Sequence, residues 1–88
     1  MDNSHLAKEE YISTNRSNIG KEIYRYRLKK GYSQVVLADL MGISRATISK
    51  IENGKFAFSV DYLAKFAWHL DFIIKISDNE LQISRKYS

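Results

Sequence analysis

The stretch that decides the fold covers residues 33–55 and reads SQVVLADLMGISRATISKIENGK. Gly42 separates two short stretches with helical spacing, and a serine precedes each of them, Ser33 and Ser44. Serine hydroxyls accept hydrogen bonds from free N–H groups at helix N-termini, and glycine adopts the left-handed conformation that ends helices. The small Ala38, with a branched apolar residue six positions after the glycine, lets the two helices pack closely. The pattern is typical of two helices that cross over a short turn.

The same pattern of serine and glycine at helix ends continues on both sides of this stretch. It predicts helices over Asn18–Lys30, Gln34–Met41, Arg45–Asn53 and Val60–Leu70. Spacings of three and four define the stripes that we expect to face the core. Their members are Ile19, Ile23, Tyr26 and Leu28 in the first helix, Val36, Leu37 and Leu40 in the second, Ile48 and Ile51 in the third, and Leu63, Phe66, Ala67 and Leu70 in the fourth.

After Leu70 the apolar period changes from helical to alternating, which predicts a strand. A turn at Asp78-Asn79 would fold a hairpin that places Ile76 opposite Leu81 and Ile74 opposite Ile83. Its apolar face then consists of Phe72, Ile74, Ile76, Leu81 and Ile83. An isolated hairpin is marginal in water. We therefore expect this face to be the dimer interface, covered by a second copy of the chain.

Composition limits the class of protein. The chain has 88 residues, no cysteine and a net charge of +4, and it has no run of about 18 apolar residues that would span a membrane. One small cytoplasmic domain without disulfides, secretory signal or thiolate metal site is expected. Its predicted parts are a flexible N-terminal arm over residues 1–17, a helical domain over 18–71, a dimerising strand or hairpin over 72–84 and a tail over 85–88.

The charge is unevenly distributed. From Asn18 to Phe58 there are eight basic residues against three acidic ones. Such clustering suits phosphate-backbone binding, because each neutralised phosphate releases condensed counterions. A solvated helix face gives the same pattern, so charge alone does not decide between them.

The sequence resembles the Xre/Cro family of lambda-repressor-like DNA-binding domains. The residues that carry the resemblance are Ile19-Gly20, Arg27, Gly31-Tyr32-Ser33-Gln34, Leu37-Ala38, Gly42-Ile43-Ser44, Ile48-Ser49 and Glu52-Asn53-Gly54-Lys55. The match covers residues 18–70 and implies a mainly helical, lambda-repressor-like helix-turn-helix bundle. Two features depart from the family: a strand-like segment stands where a fifth helix often lies, and Asp71 stands where glycine is usual.

The resemblance also implies roles for individual residues. Gln34 matches a position that contacts a phosphate and braces the recognition helix. The positions that face base edges in the family are Arg45, Ala46, Thr47 and Lys50, and those that contact the DNA backbone are Asn53 and Lys55. Arg27 and Glu52 match a buried ion pair that ties the first helix to the third.

The residues themselves support much of this assignment. With Ile48 and Ile51 facing inward, a rotation of 100° per residue turns Ala46, Ser49, Lys50 and Asn53 outward, with Arg45 beside them. Arg45 is the main candidate for base readout, because a guanidinium can bind guanine O6 and N7 together. A phosphate contact or a solvated charge is the alternative for Arg45, and Lys50 is equally open. Ser44 fits a helix cap better than a base reader, and Thr47 fits either a phosphate contact or the edge of the core.

No catalytic constellation stands out. The two histidines, His5 and His69, are too far apart in sequence to suggest a metal or general-base site, and no glycine-rich phosphate loop occurs. We expect no enzyme activity, cofactor or metal. Trp68 is expected in the core or on a dimer surface.

Two functions fit these observations. The first is a homodimeric transcriptional regulator, a repressor, that sets helix 3 of each subunit into the major groove of a palindromic double-stranded operator. The alternative is an antitoxin that binds a protein toxin and regulates its own operon. The segment from Leu70 to Ile76 is similar to the terminal strand of HipB-type antitoxins, which neutralise a kinase toxin.

Overall fold

The computed structural model describes residues 4–76 and 81–85, with side chains from residue 7 onward. Its elements are α1 (Ser4–Lys29), α2 (Gln34–Met41), α3 (Arg45–Glu52), α4 (Val60–Leu70), β1 (Phe72–Ile76) and β2 (Leu81–Arg85). The predicted fold class, four helices followed by a C-terminal hairpin, is confirmed. The predicted turn at Asp78-Asn79 lies outside the described residues.

Capping serines begin three of the helices, as the sequence predicts. The hydroxyls of Ser33, Ser44 and Ser59 accept hydrogen bonds from the backbone N–H groups three residues further on, at 3.0–3.1 Å. Gly42 ends α2 in the left-handed region at φ 68°. These caps satisfy backbone groups that helix ends otherwise leave unpaired, and they explain why the bounds of α2, α3 and α4 agree with the predicted ones to within one residue.

The first helix is longer than the sequence predicts. We expected it to begin at Asn18 after a flexible arm, but α1 is continuous from Ser4 to Lys29. Residues 4–17 include neither proline nor glycine that would break a helix. Between Tyr11 and Ile19 the helix also lines a groove with Phe58 and Leu81. The extension therefore has tertiary neighbours that the local sequence does not reveal.

The core lies between the helices and the inner face of the hairpin. It consists of Ile23, Tyr26, Leu37, Ala38, Ile48, Ile51, Leu63, Phe66, Leu70 and Phe72, each at most 6% exposed. Three residues that we expected to face the core, Leu28, Val36 and Leu40, are instead 43–51% exposed. They flank the buried positions of their helices, and no element of the described chain covers them.

The hairpin has the predicted register, with Ile76 opposite Leu81, Ile74 opposite Ile83 and Lys75 opposite Gln82. That a second copy contacts its apolar face stays a prediction, and most of the face has neighbours within the chain itself. Phe72 is buried against Tyr26, with ring centroids 5.3 Å apart, and Ile74, Leu81 and Ile83 pack against the chain's own core. The helices cover this face because the hairpin folds back onto them. Ile76 differs and is 84% exposed.

The junction between α4 and the hairpin explains the aspartate that departs from the family pattern. Asp71 adopts the left-handed region, with φ 59° and ψ 48°, which aspartate tolerates better than most residues. Its carboxylate accepts a hydrogen bond from the Lys30 ammonium at 2.5 Å. This hydrogen bond raises the pKa of Lys30 above its usual 10.5. The contact ties the end of α1 to the start of the hairpin.

Candidate nucleic-acid interface

The position of α3 is fixed by a close approach to α1. A Cβ atom on Gly20 would lie 2.3 Å from the Ile51 carbonyl oxygen and 3.0 Å from that of Glu52. Only glycine allows the two backbones to come this near. The same face of α3 buries the Ile48 and Ile51 side chains completely. The helix is therefore anchored along one face, and the opposite face is left to solvent.

A buried charge network holds the C-terminal end of α3. The Arg27 guanidinium donates to both carboxylate oxygens of Glu52, with Nε–Oε2 at 2.7 Å and Nη2–Oε1 at 3.0 Å. Its Nη1 also donates to the Tyr32 carbonyl oxygen at 2.8 Å. The Arg27 and Glu52 side chains are 7% and 5% exposed, so the pair is shielded from water. Such a two-pronged contact fixes orientation as well as distance.

Gln34, at the start of α2, joins the same network. Its Nε2 donates to Glu52 Oε1 at 3.0 Å. This contact places the N-terminus of α2 beside the C-terminal end of α3, where Asn53 and Lys55 follow. Free N–H groups in the first turn of a helix favour anions such as phosphate. The structure thus brings together the residues predicted to brace the recognition helix and to contact the DNA backbone.

The outward face of α3 is polar and has only small apolar groups. Arg45, Ala46 and Lys50 are exposed, and Thr47 and Ser49 are partly exposed. Within the described part of the chain, neither the Arg45 nor the Lys50 side chain forms an ion pair or a hydrogen bond. A guanidinium can bind guanine, and an alanine can contact a thymine methyl group. This face has the chemistry needed to contact base edges.

The hydroxyl groups of Ser44 and Thr47, at the start of α3, form hydrogen bonds within the chain. Ser44 caps the helix and also hydrogen-bonds Thr47 through their hydroxyl oxygens, 2.8 Å apart. Asn53 Nδ2 donates to the Ser49 carbonyl oxygen at 2.9 Å. The cap interpretation of Ser44 is confirmed. The contact between Gly20 and Ile51 is not visible in the sequence, because the two residues are far apart along the chain.

The fold and this site define a DNA-binding domain of the helix-turn-helix class. The profile of the helix-turn-helix family matches residues 23–71, more than half of the chain, from the last two turns of α1 to the end of α4. The chain therefore belongs to this family, the Xre or lambda-repressor-like helix-turn-helix proteins, which bind DNA and regulate transcription. Comparisons with curated proteins and with solved structures gave no significant match.

Over residues 4–76 and 81–85, no three histidine, cysteine, aspartate or glutamate side chains are grouped as metal ligands would be. No helix in this part of the chain is long and apolar enough to cross a membrane.

Proposed function

We propose that the protein is a sequence-specific transcriptional repressor that binds double-stranded DNA with α3 in the major groove. The observation that carries this proposal is the outward face of α3, with unpaired Arg45 and Lys50 side chains on a helix whose other face is rigidly anchored. Arg45 reads a guanine, while Ala46, Thr47, Ser49 and Lys50 line the neighbouring base edges or phosphates. Gln34, Asn53 and Lys55 contact the DNA backbone beside them.

We further propose that the repressor acts as a homodimer. Ile76, the last residue of β1, is apolar and 84% exposed. The two-stranded sheet also has outer edges that lack a strand partner among the described residues, and such edges readily pair with another chain. Dimerisation along the hairpin would place two α3 helices on half-sites about 10 base pairs apart.

Selection from a random pool of duplex DNA tests the proposal. The expected result is a palindrome whose half-sites repeat about every 10 base pairs. A promoter that overlaps this palindrome should then be silenced by the protein in a purified transcription reaction. Weak, salt-sensitive binding without an enriched sequence would contradict the proposal.

A second candidate function is that of an antitoxin which also binds its own operon. A specific surface favours it: Trp68 is 74% exposed and shares a hollow with Tyr32 and Leu40. These residues lie outside the predicted DNA contacts, and exposed tryptophans are frequent anchors of protein interfaces. If a toxin binds here, Trp68→Ala should abolish a complex with the product of a neighbouring gene while operator binding stays unchanged.

A further inference from the structure

A groove lies between the N-terminal half of α1, the loop before α4 and the start of β2. Its apolar lining includes Ile12, Ile19, Phe58 and Leu81, and its volume is about 380 Å³. A cavity of about 150 Å³ already holds a benzene molecule. The groove therefore has room for a branched aliphatic side chain.

Most of the groove is built from parts of the chain that the family match leaves out. That match covers residues 23–71. The lining residues of α1 precede it and Leu81 follows it, and only Ala57 and Phe58 lie inside it. The two additions to the DNA-binding domain, the long α1 and the hairpin, thus come together at one place.

Ile76 stands next to this groove and contacts little of its own chain. It is 84% exposed, the highest value among the large apolar residues of the described chain. Its register partner on the hairpin is Leu81, which lines the groove. Register partners have their Cβ atoms on the same face, about 5 Å apart. An unfilled apolar groove and an uncovered apolar side chain therefore lie side by side on one molecule.

We propose that the occupant of the groove is a second copy of this chain, whose Ile76 inserts between Ile12 and Phe58. A two-fold contact is reciprocal, so the same residues of each chain fill the groove of the other. The proposal rests on the homodimer proposed above and names its contacts. One inserted side chain buries too little surface to hold a dimer, because a stable interface buries about 800 Å² on each partner. The insertion therefore adds to pairing along the hairpin edge and fixes its register.

Sedimentation equilibrium of two matched variants tests the insertion. Ile76→Ser removes the inserting side chain, and Val60→Ser removes a side chain that is equally uncovered, at 80% exposure, but does not line the groove. We expect the dimer dissociation constant to rise at least tenfold for Ile76→Ser and to stay unchanged for Val60→Ser. A dimer equally stable in Ile76→Ser would overturn the insertion.

Disulfide trapping gives an independent test, because the chain has no cysteine of its own. Chains with Ile12→Cys are mixed with tagged chains that carry Ile76→Cys and are then oxidised. We expect a mixed disulfide between the two chains, and none when the tagged chain carries Ile73→Cys, from the opposite face of β1. No mixed disulfide with Ile76→Cys would overturn the insertion even if Ile76→Ser failed to fold.

The two proposals fail in different ways. A wild-type chain that stays monomeric at all concentrations would overturn both the homodimer and the insertion. A wild-type dimer that neither weakens in Ile76→Ser nor forms the mixed disulfide would overturn the insertion alone.

Discussion

The two faces of α3 differ in what holds them and in what they can do. The inner face packs Ile48 and Ile51 completely out of solvent and touches the backbone of α1 at Gly20. The outer face presents Arg45 and Lys50 without partners in the described chain. The eight residues of α3 thus anchor the helix with one set of side chains and face the solvent with another. Substitutions on the inner side should change the free energy of unfolding, and those on the outer side should change DNA binding alone.

The largest loss of stability is expected when the buried ion pair at the end of α3 is broken. Arg27→Ala leaves the Glu52 carboxylate buried without its main partner, which typically costs about 3–5 kcal/mol. Urea denaturation followed by circular dichroism measures the loss. Arg25→Ala is the control, because the ion pair of Arg25 with Glu22 is exposed and worth at most about 1 kcal/mol. Equal losses in the two variants would contradict the assigned role of Arg27.

The second-largest change in the free energy of unfolding is expected at Gly20, where the sign of the change is informative. Replacing glycine by alanine inside a helix usually stabilises it by about 1 kcal/mol. At Gly20 the new methyl group would overlap the Ile51 carbonyl oxygen, so we expect Gly20→Ala to lower the free energy of unfolding by about 1–3 kcal/mol. Ser13→Ala, on an exposed part of α1, should leave stability unchanged or slightly raised. A stabilised Gly20→Ala variant would mean that α1 and α3 do not approach this closely.

On the outer face, Arg45→Ala should weaken binding to the selected operator by about 1–3 kcal/mol. The same variant should unfold within about 0.5 kcal/mol of the wild type, because an exposed side chain without partners is removed. Fluorescence anisotropy with labelled duplex and urea denaturation measure the two quantities. A large loss of stability would show that the two faces are not independent.

The smallest effect on DNA binding is expected for Lys55, which follows the end of α3. Lys55→Ala removes one proposed phosphate contact, so binding should weaken by a similar factor for all sequences. The slope of log K against log salt concentration should fall by about 1. Lys75→Ala, on the exposed side of the hairpin, serves as the control with the same change in charge. An unchanged salt slope in Lys55→Ala would remove Lys55 from the interface.

The sequence predicts a structural feature when the residues that determine it lie close together along the chain. The caps at Ser33, Ser44 and Ser59 act over three residues, and the hairpin register follows from alternation, so the sequence predicted both. The predicted start of α1 was wrong, and the extra turns line a groove with Phe58 and Leu81, which are remote in the chain. The inward packing of Phe72 was missed for the same reason, since alternation defines an apolar face but not what covers it.

The same distinction between local and remote causes holds for the candidate site. The outward positions of α3 follow from its helical period, because Ile48 and Ile51 reveal which side is buried. The link from Arg27 to Glu52 and Gln34 came from the family resemblance, since no rule of spacing joins residues on three different elements. The close approach at Gly20 needed the structure, although a glycine inside a helical stretch was the one local sign of it.

The most direct test of the account is the base preference of the Arg45→Ala variant. Wild type, Arg45→Ala and Lys55→Ala would each be used to select from the same random duplex pool. We expect Arg45→Ala to lose the preference at one symmetric pair of guanines, and Lys55→Ala to keep every preference and only bind more weakly. An Arg45→Ala profile identical to that of the wild type would contradict base reading by the outer face of α3.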